Sequence, residues 1–355
     1  GKARWPTPEA VDEISLGGGP QVEYSARTGK IEAQVYLDEA DPALAQKYLD
    51  ATSRYLRMYS ELIGPYPYEK FALVENFWET GYGMPSYTLL GPQIIRFPFI
   101  LTSSYPHEIL HNWWGNSVYV DYASGNWCEG LTAYLADHLL KEVEGQGAEY
   151  RRDTLKRYRD FAASSGDFPL REFRSRHSAA TEAVGYGKTL MGFHMLRRAL
   201  GDDTFRKALA RFYKDDRGKR ASFADVRAAF EAVSGRDLGR FFDEWVNRTG
   251  AADVAVEGVK VTRGGKGFIV TGTLRQRQAG PYDLAVPLVV ATTGEPLVTS
   301  IASREATTAF RVETASKPLG VEVDPEFDLF RVLDPRETAP SIGQLFGATE
   351  VTAVV

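Results

Sequence analysis

In "YPHEILHNWWGN" two histidines four residues apart, His107 and His111, bracket Glu108. On a helix, residues at i and i+4 share a face one turn apart, so both imidazoles can reach a common metal ion. Glu108 then lies beside that ion without binding it, where a general base for metal-assisted hydrolysis belongs. The chain has His 5 in all, so placing two of them at this spacing around a glutamate is unusual. A catalytic zinc commonly takes three protein ligands and keeps a fourth position for water. The third is expected in "GNWCEGLTAYLADHLL": Glu129, eighteen residues after His111, opens the next helix. The plain alternative for Glu129 is an acid favourably placed at a helix N-terminus. Cys128 is turned about 100° from it and is expected to pack rather than coordinate. Trp113 and Trp114 are expected in the core.

Two helices joined by "GNSVYVDYASGN" must present these groups to one another. Ahead of them, residues 20–38 alternate as two strands about the turn "RTGK". Asp41-Pro42 supplies an N-cap and a proline at the first helical position of a helix running to Ile63, with Gly64 and Pro65 beyond it. "KFALVEN" reads as a strand, followed by the extended, glycine-punctuated "ETGYGMPSYTLL". Residues 103–248 are mainly helical, with segments expected at 103–114, 126–144, 148–164, 181–200, 202–214, 223–233 and 237–248. Residues 252–333 are rich in Val, Thr and Gly, alternate with period two, and read as a small β-sandwich. The domain boundaries expected are 1–38, 39–250, 251–335 and a tail over 336–355.

The composition is that of an ordinary globular chain: hydrophobic 43%, charged 25% and mean hydropathy -0.29. A net charge of -5 disfavours a nucleic-acid partner. The basic run "RRDTLKRYR" is expected to be a solvated helix face. No apolar run approaches the roughly 18 residues of a membrane span. The start, "GKARWPTPEAV", has no signal-peptide pattern and no initiator Met, as expected of a processed or trimmed form. Lone Cys128 excludes an internal disulfide framework and leaves the compartment open.

HExxH followed by a glutamate eighteen residues on resembles the gluzincins. The flanking "HNWWGN" and "EGLTAYLADH" are similar to the membrane alanyl aminopeptidase family, over about residues 35–250. That resemblance implies an α+β fold: a thermolysin-like, mainly helical catalytic domain followed by a small β-sandwich domain, with 1–38 a remnant of an N-terminal β-domain. It implies one Zn2+ ion held by His107, His111 and Glu129, with Glu108 as general base and peptides as substrates. "AVGYGKTLMGFHML" matches the family's YxKG-like context at Tyr186 and Lys188, with Thr189 where glycine is usual. Tyr186 is thereby implied as the hydrogen-bond donor to the oxyanion.

The family also carries a G-x-M-E-N strand whose backbone pairs with substrate and whose Glu captures the free α-amine. Gly83-Met84-Pro85-Ser86 occupies that place. Gly83 and Met84 keep the backbone role, but Pro85 stands where the carboxylate is expected. Glu75 and Glu79 are nearby in sequence. Aminopeptidase activity is put first, a zinc endopeptidase of relaxed specificity second, and a non-catalytic scaffold on the same fold third. Trp78, Tyr82, Tyr87, Phe97 and Phe99 are candidates for an apolar specificity pocket. Arg171, Arg174, Arg176 and His177 are read as a solvated loop.

Overall fold

The computed structural model describes residues 18–163, 166–265, 267–340 and 342–348. The sequence "GKARWPTPEAV" and the last seven residues of the expected tail lie outside them. The chain forms two compact units. One comprises the residues up to Lys141 together with Leu200–Leu238, the other Glu142–Ala199 together with the residues from Gly239 onward.

The first unit opens with β1 (Val22–Thr28) and β2 (Ile31–Leu37), antiparallel about the Gly29 turn. Helix α1 (Pro42–Leu62) follows, capped by the Asp41 side chain accepting from the Leu44 N–H. Its buried residues Ala45, Tyr48, Leu49, Thr52, Tyr55, Leu56 and Tyr59 recur at three and four, giving one apolar face. β3 (Lys70–Glu75), β4 (Gly81–Met84) and β5 (Tyr87–Leu90) complete a sheet of order β1-β2-β3-β5-β4. β3 is parallel to β2 and β5, while β4 runs antiparallel to β5 and ends the sheet.

The segment "ETGYGMPSYTLL" is therefore a hairpin, not one continuous strand. Met84 pairs with Tyr87, leaving Pro85-Ser86 as the two-residue connection. Proline fixes its own φ and has no N–H to give a ladder, and Ser86 follows at φ 65. That combination is the pattern of a type II turn. The Ser86 N–H donates to Asn112 Oδ1 at 2.8 Å, and Lys70 Nζ donates to Ser86 O and Oγ at 3.1 and 3.0 Å.

Helix α2 (Ser104–Leu110) carries the HExxH sequence and is shorter than the expected 103–114. His111 is its C-cap and still right-handed helical, after which Asn112 and Trp113 close tight turns back to Ile109 and Leu110. The α1 face packs against this region: Tyr48 meets Tyr105 edge-on at 4.8 Å, and Tyr59 and Tyr66 meet Trp113 at 5.8 and 5.2 Å. Trp113 and Trp114 are fully buried.

Beyond α2 the chain makes β6 (Tyr119–Val120), then α3 (Cys128–Ala133), which continues through a π-helical turn at Tyr134–His138. β6 pairs in parallel with β7 (Arg220–Ala221), between helices Asp202–Asp216 and Phe223–Ser234. Trp127 Nε1 donates to Ala221 O at 2.7 Å, fixing the start of α3 to that strand.

In the second unit, helices Gly147–Phe161 and 179–199, the latter through a π-turn at Ala183–Lys188, precede six strands. β8 (Val254–Gly264), β9 (Gly267–Gln276) and β12 (Thr307–Thr314) form one sheet. β10 (Leu284–Thr292), β11 (Leu297–Ser303) and β13 (Pro318–Val323) form the other. Val270 and Leu274 of the first sheet and Val286, Leu288 and Val290 of the second are completely buried, in the period-two pattern of the sequence. The fold class is α+β. The basic run departs from expectation at two places. Arg151 is buried, donates to the backbone Glu326 O at 2.9 Å and lies 3.5 Å from the Asp328 carboxylate, and Arg159 turns onto Asp160 at 2.9 Å.

Candidate metal centre

His107 and His111 project from α2 and Glu129 from the first turn of α3, all within the first unit. The rings of the two histidines lie 4.8 Å apart. Their Nε2 atoms sit 3.6 and 3.5 Å from the same carboxylate oxygen, Glu129 Oε2. One ligand atom from each residue lies within 4.8 Å of the other two.

The far nitrogens are held. His107 Nδ1 meets Asp137 Oδ2 at 2.7 Å, and His111 Nδ1 meets Trp114 O at 3.1 Å. With a metal held there, a proton on each Nδ1 would donate to these oxygens and leave each Nε2 lone pair for the ion, the tautomer a metal requires. Two imidazole nitrogens and one carboxylate oxygen, converging and oriented from behind, fit a zinc ion with an open fourth position. Electrostatics ties the three groups together. Burial opposes a proton on His107, but Asp137 and then Glu129 outweigh it and push the pKa up to about 9. Burial likewise opposes the carboxylate of Glu129, yet the two imidazoles hold it well below the usual range.

Asp137 was not singled out in the sequence, and the local helix geometry explains why. Eight residues of regular α-helix turn through about 800°, leaving Asp137 some 80° off the face of Glu129. The π-turn at Tyr134–His138 takes up one extra residue, about 100°, and returns Asp137 to that face. The available signal was an acid on the ligand-bearing helix, two turns beyond Glu129.

Cys128 is buried with Sγ 3.5 Å from His111 Nδ1, on the nitrogen directed away from Glu129. Burial pushes its thiol pKa up. Gly115, at φ 97, makes the turn beside it.

Glu108 points toward β4. A Cβ on Gly83 would meet Glu108 Oε2, so any larger residue there would oblige the carboxylate tip to shift. Asn112, next to His111, bonds both ways: it accepts from Ser86 N–H and donates to Ile109 O at 2.9 Å. The HExxH helix and the hairpin are thus fastened together one residue from a candidate ligand.

The nearby acids have partners. Glu75, with its side chain 2% exposed, accepts from Asp38 N–H at 2.9 Å and from Arg96 at 2.5 Å. Glu79 accepts from the N–H groups of Gln93 and Ile94 at 2.9 and 3.3 Å. Of the aromatic candidates, Trp78, Tyr82, Phe97 and Phe99 are exposed, and Phe97 stacks on Phe99 at 5.4 Å. Tyr87 lies under Lys70 at 5.6 Å.

Tyr186 belongs to the second unit, on the π-turn. Phe173 meets its ring edge-on at 5.9 Å, and the Arg176 guanidinium lies 5.9 Å from its centre. Lys188 is buried and donates to Arg248 O at 2.7 Å, and burial lowers its pKa to about 8. Arg171, Arg174, Arg176 and His177 are exposed.

Residues 101–245 match the peptidase family M1 domain. Among its relatives, the alanine/arginine aminopeptidase of Saccharomyces cerevisiae is 21% identical over 270 residues, 70% of this chain and 32% of that one. Aminopeptidase N of Caulobacter vibrioides is 29% identical over 157 residues, 42% of this chain and 18% of that one. Among solved structures, Legionella pneumophila aminopeptidase A in complex with aspartic acid shares the fold at a TM-score of 0.68 and 16% identity. That match covers 92% of this chain and 39% of that one. The chain thus spans under a third of the length of the two curated relatives named here.

Proposed function

We propose that this chain is a zinc-dependent peptidase. The observation that carries the reading is the convergence of His107 and His111 Nε2 on Glu129 Oε2, with Glu108 set between that cluster and the terminal strand β4. His107, His111 and Glu129 would hold the ion. Bound there, zinc supplies a Lewis acid that acidifies water and polarises a carbonyl. Glu108 takes a proton from the attacking water and returns it to the departing amine as the C–N bond breaks and the C–O bond forms. β4 lends its backbone, through Gly83 and Met84, to an extended peptide. Tyr186, whose support is its sequence context, donates a hydrogen bond to the oxyanion.

Aminopeptidase activity comes first by family and by the relatives' names. Cleavage without need of a free amine is the second reading, favoured by the Pro85-Ser86 turn.

The test is zinc content measured alongside peptide cleavage, with and without a chelator. One zinc per chain and chelator-sensitive cleavage restored by zinc are expected. Near-stoichiometric zinc with no hydrolysis of any peptide would return the scaffold reading. Tyr186→Phe is expected to lower kcat about 10²-fold or more with zinc content unchanged.

A further inference from the structure

We propose that Arg176 is a positioning residue for Tyr186: its guanidinium lies over the phenol ring, holds that ring in one orientation and strengthens the hydroxyl as a hydrogen-bond donor. The inference deepens the peptidase reading and rests on Tyr186 donating to the oxyanion. All the groups involved belong to the second unit.

Tyr186 sits on the π-turn Ala183–Lys188, and its ring is bracketed by the segment that leads into that helix. Phe173 meets the ring edge-on at 5.9 Å. Phe173 is itself buried, stacks on Phe168 at 6.3 Å, and fills the space that a Cβ at Gly185 would take. The Arg176 guanidinium lies over the ring, 5.9 Å from its centre, inside the range at which a cation is drawn to an aromatic face.

The place of Arg176 is held from both ends of the residue. Two positions later Ser178 caps the helix, its hydroxyl accepting from the Thr181 N–H at 3.1 Å. The Thr181 hydroxyl in turn accepts from the Ser178 and His177 N–H groups at 2.9 and 3.0 Å, which fixes the backbone beside Arg176. The Arg176 head group pairs with Glu182 at 3.4 Å, and Glu182 is steadied by Arg157 at 3.2 Å. Glu182 precedes Tyr186 by about one helical turn, so one guanidinium bridges an acid and an aromatic ring of the same helix. A phenol that donates to a developing oxyanion gathers partial negative charge on its oxygen, and a cation over its ring favours that charge.

The experiment is a double-mutant cycle on the zinc-loaded full chain. It measures kcat and KM for an internally quenched fluorescent peptide with the parent, Arg176→Met, Tyr186→Phe and the double variant. Arg176→Met keeps the length of the side chain and removes its charge. With that side chain 58% exposed, kcat is expected to fall about threefold, the worth of an exposed cation–ring contact, with KM, zinc content and Tm unmoved. Arg176→Lys keeps a cation and is expected to recover most of the loss. In the Tyr186→Phe background Arg176→Met is expected to cost nothing further, because the hydroxyl through which it acts is gone. The same loss in both backgrounds, no loss in the parent, or a rise in KM alone overturns the proposal and leaves the peptidase reading standing. A Tyr186→Phe variant at the parent rate overturns the role of Tyr186 and this inference together. Zinc-loaded parent that cleaves no peptide overturns the peptidase reading and this one with it.

Discussion

Glu108 has two neighbours finished to different degrees. On the side of His107, His111 and Glu129, each imidazole has its outer nitrogen fastened, one to a carboxylate and one to a carbonyl. On the side of β4, the backbone is fastened just as carefully, by Asn112 and Lys70, and among the described residues Glu75 and Glu79 near it both have partners. The candidate metal cluster is specified atom by atom, while the strand is specified in position. On the proposed reading, bond breaking and the positioning of a peptide would fall to separable parts of one unit.

Four substitutions probe that separation. Glu108→Gln keeps the size of the side chain and removes the proton acceptor. Turnover is expected to fall on the order of 10²–10⁴-fold with zinc retained, measured by steady-state kinetics and metal analysis. A near-parent rate would break the contrast at its centre. Asp137→Asn leaves the three candidate ligands intact and weakens the orientation of His107. Zinc affinity is expected to drop about 10- to 100-fold, read by chelator competition. Gly83→Ala pushes a methyl group into Glu108 Oε2 and is expected to cost about tenfold in kcat with zinc affinity unmoved, since small misplacements of a reacting group are expensive. Loss of zinc in that variant would show the two sides to be one. Asn112→Ala releases the hairpin from α2 and is expected to destabilise the chain by about 1 kcal/mol in chemical denaturation.

What the sequence revealed divides along the same line. Glu129 on the next helix was legible from its sequence context, whereas HExxH is a local pattern, and α-helical spacing alone says which face its two histidines share. The α1 stripe and the alternation of β9 and β10 were legible for the same reason: each is a periodicity of a single element. Asp137 was hidden because a π-turn changes the period midway along its helix. The commitments of Glu75 and Glu79 were hidden because Arg96 and the Gln93 N–H lie 21 and 14 residues away, joined only by tertiary structure. Arg151 read as part of a solvated face because its acceptor, the Glu326 carbonyl, lies 175 residues further along the chain.

The β6–β7 pairing carries a consequence for how the protein is made. Glu129 emerges early, but the helix that presents it is fixed through Trp127 to Ala221, and β6 has its parallel partner only at Arg220–Ala221. Between them the chain leaves the first unit at Glu142 and returns at Leu200. At about 5–20 residues per second of synthesis, the candidate ligands wait on the order of 5–20 s for the strand that frames them. A nascent chain in that interval holds both histidines and the glutamate without the support that sets their distances. On the zinc reading proposed above, uptake would be a late event, timed by the return of the chain rather than by the appearance of the candidate ligands.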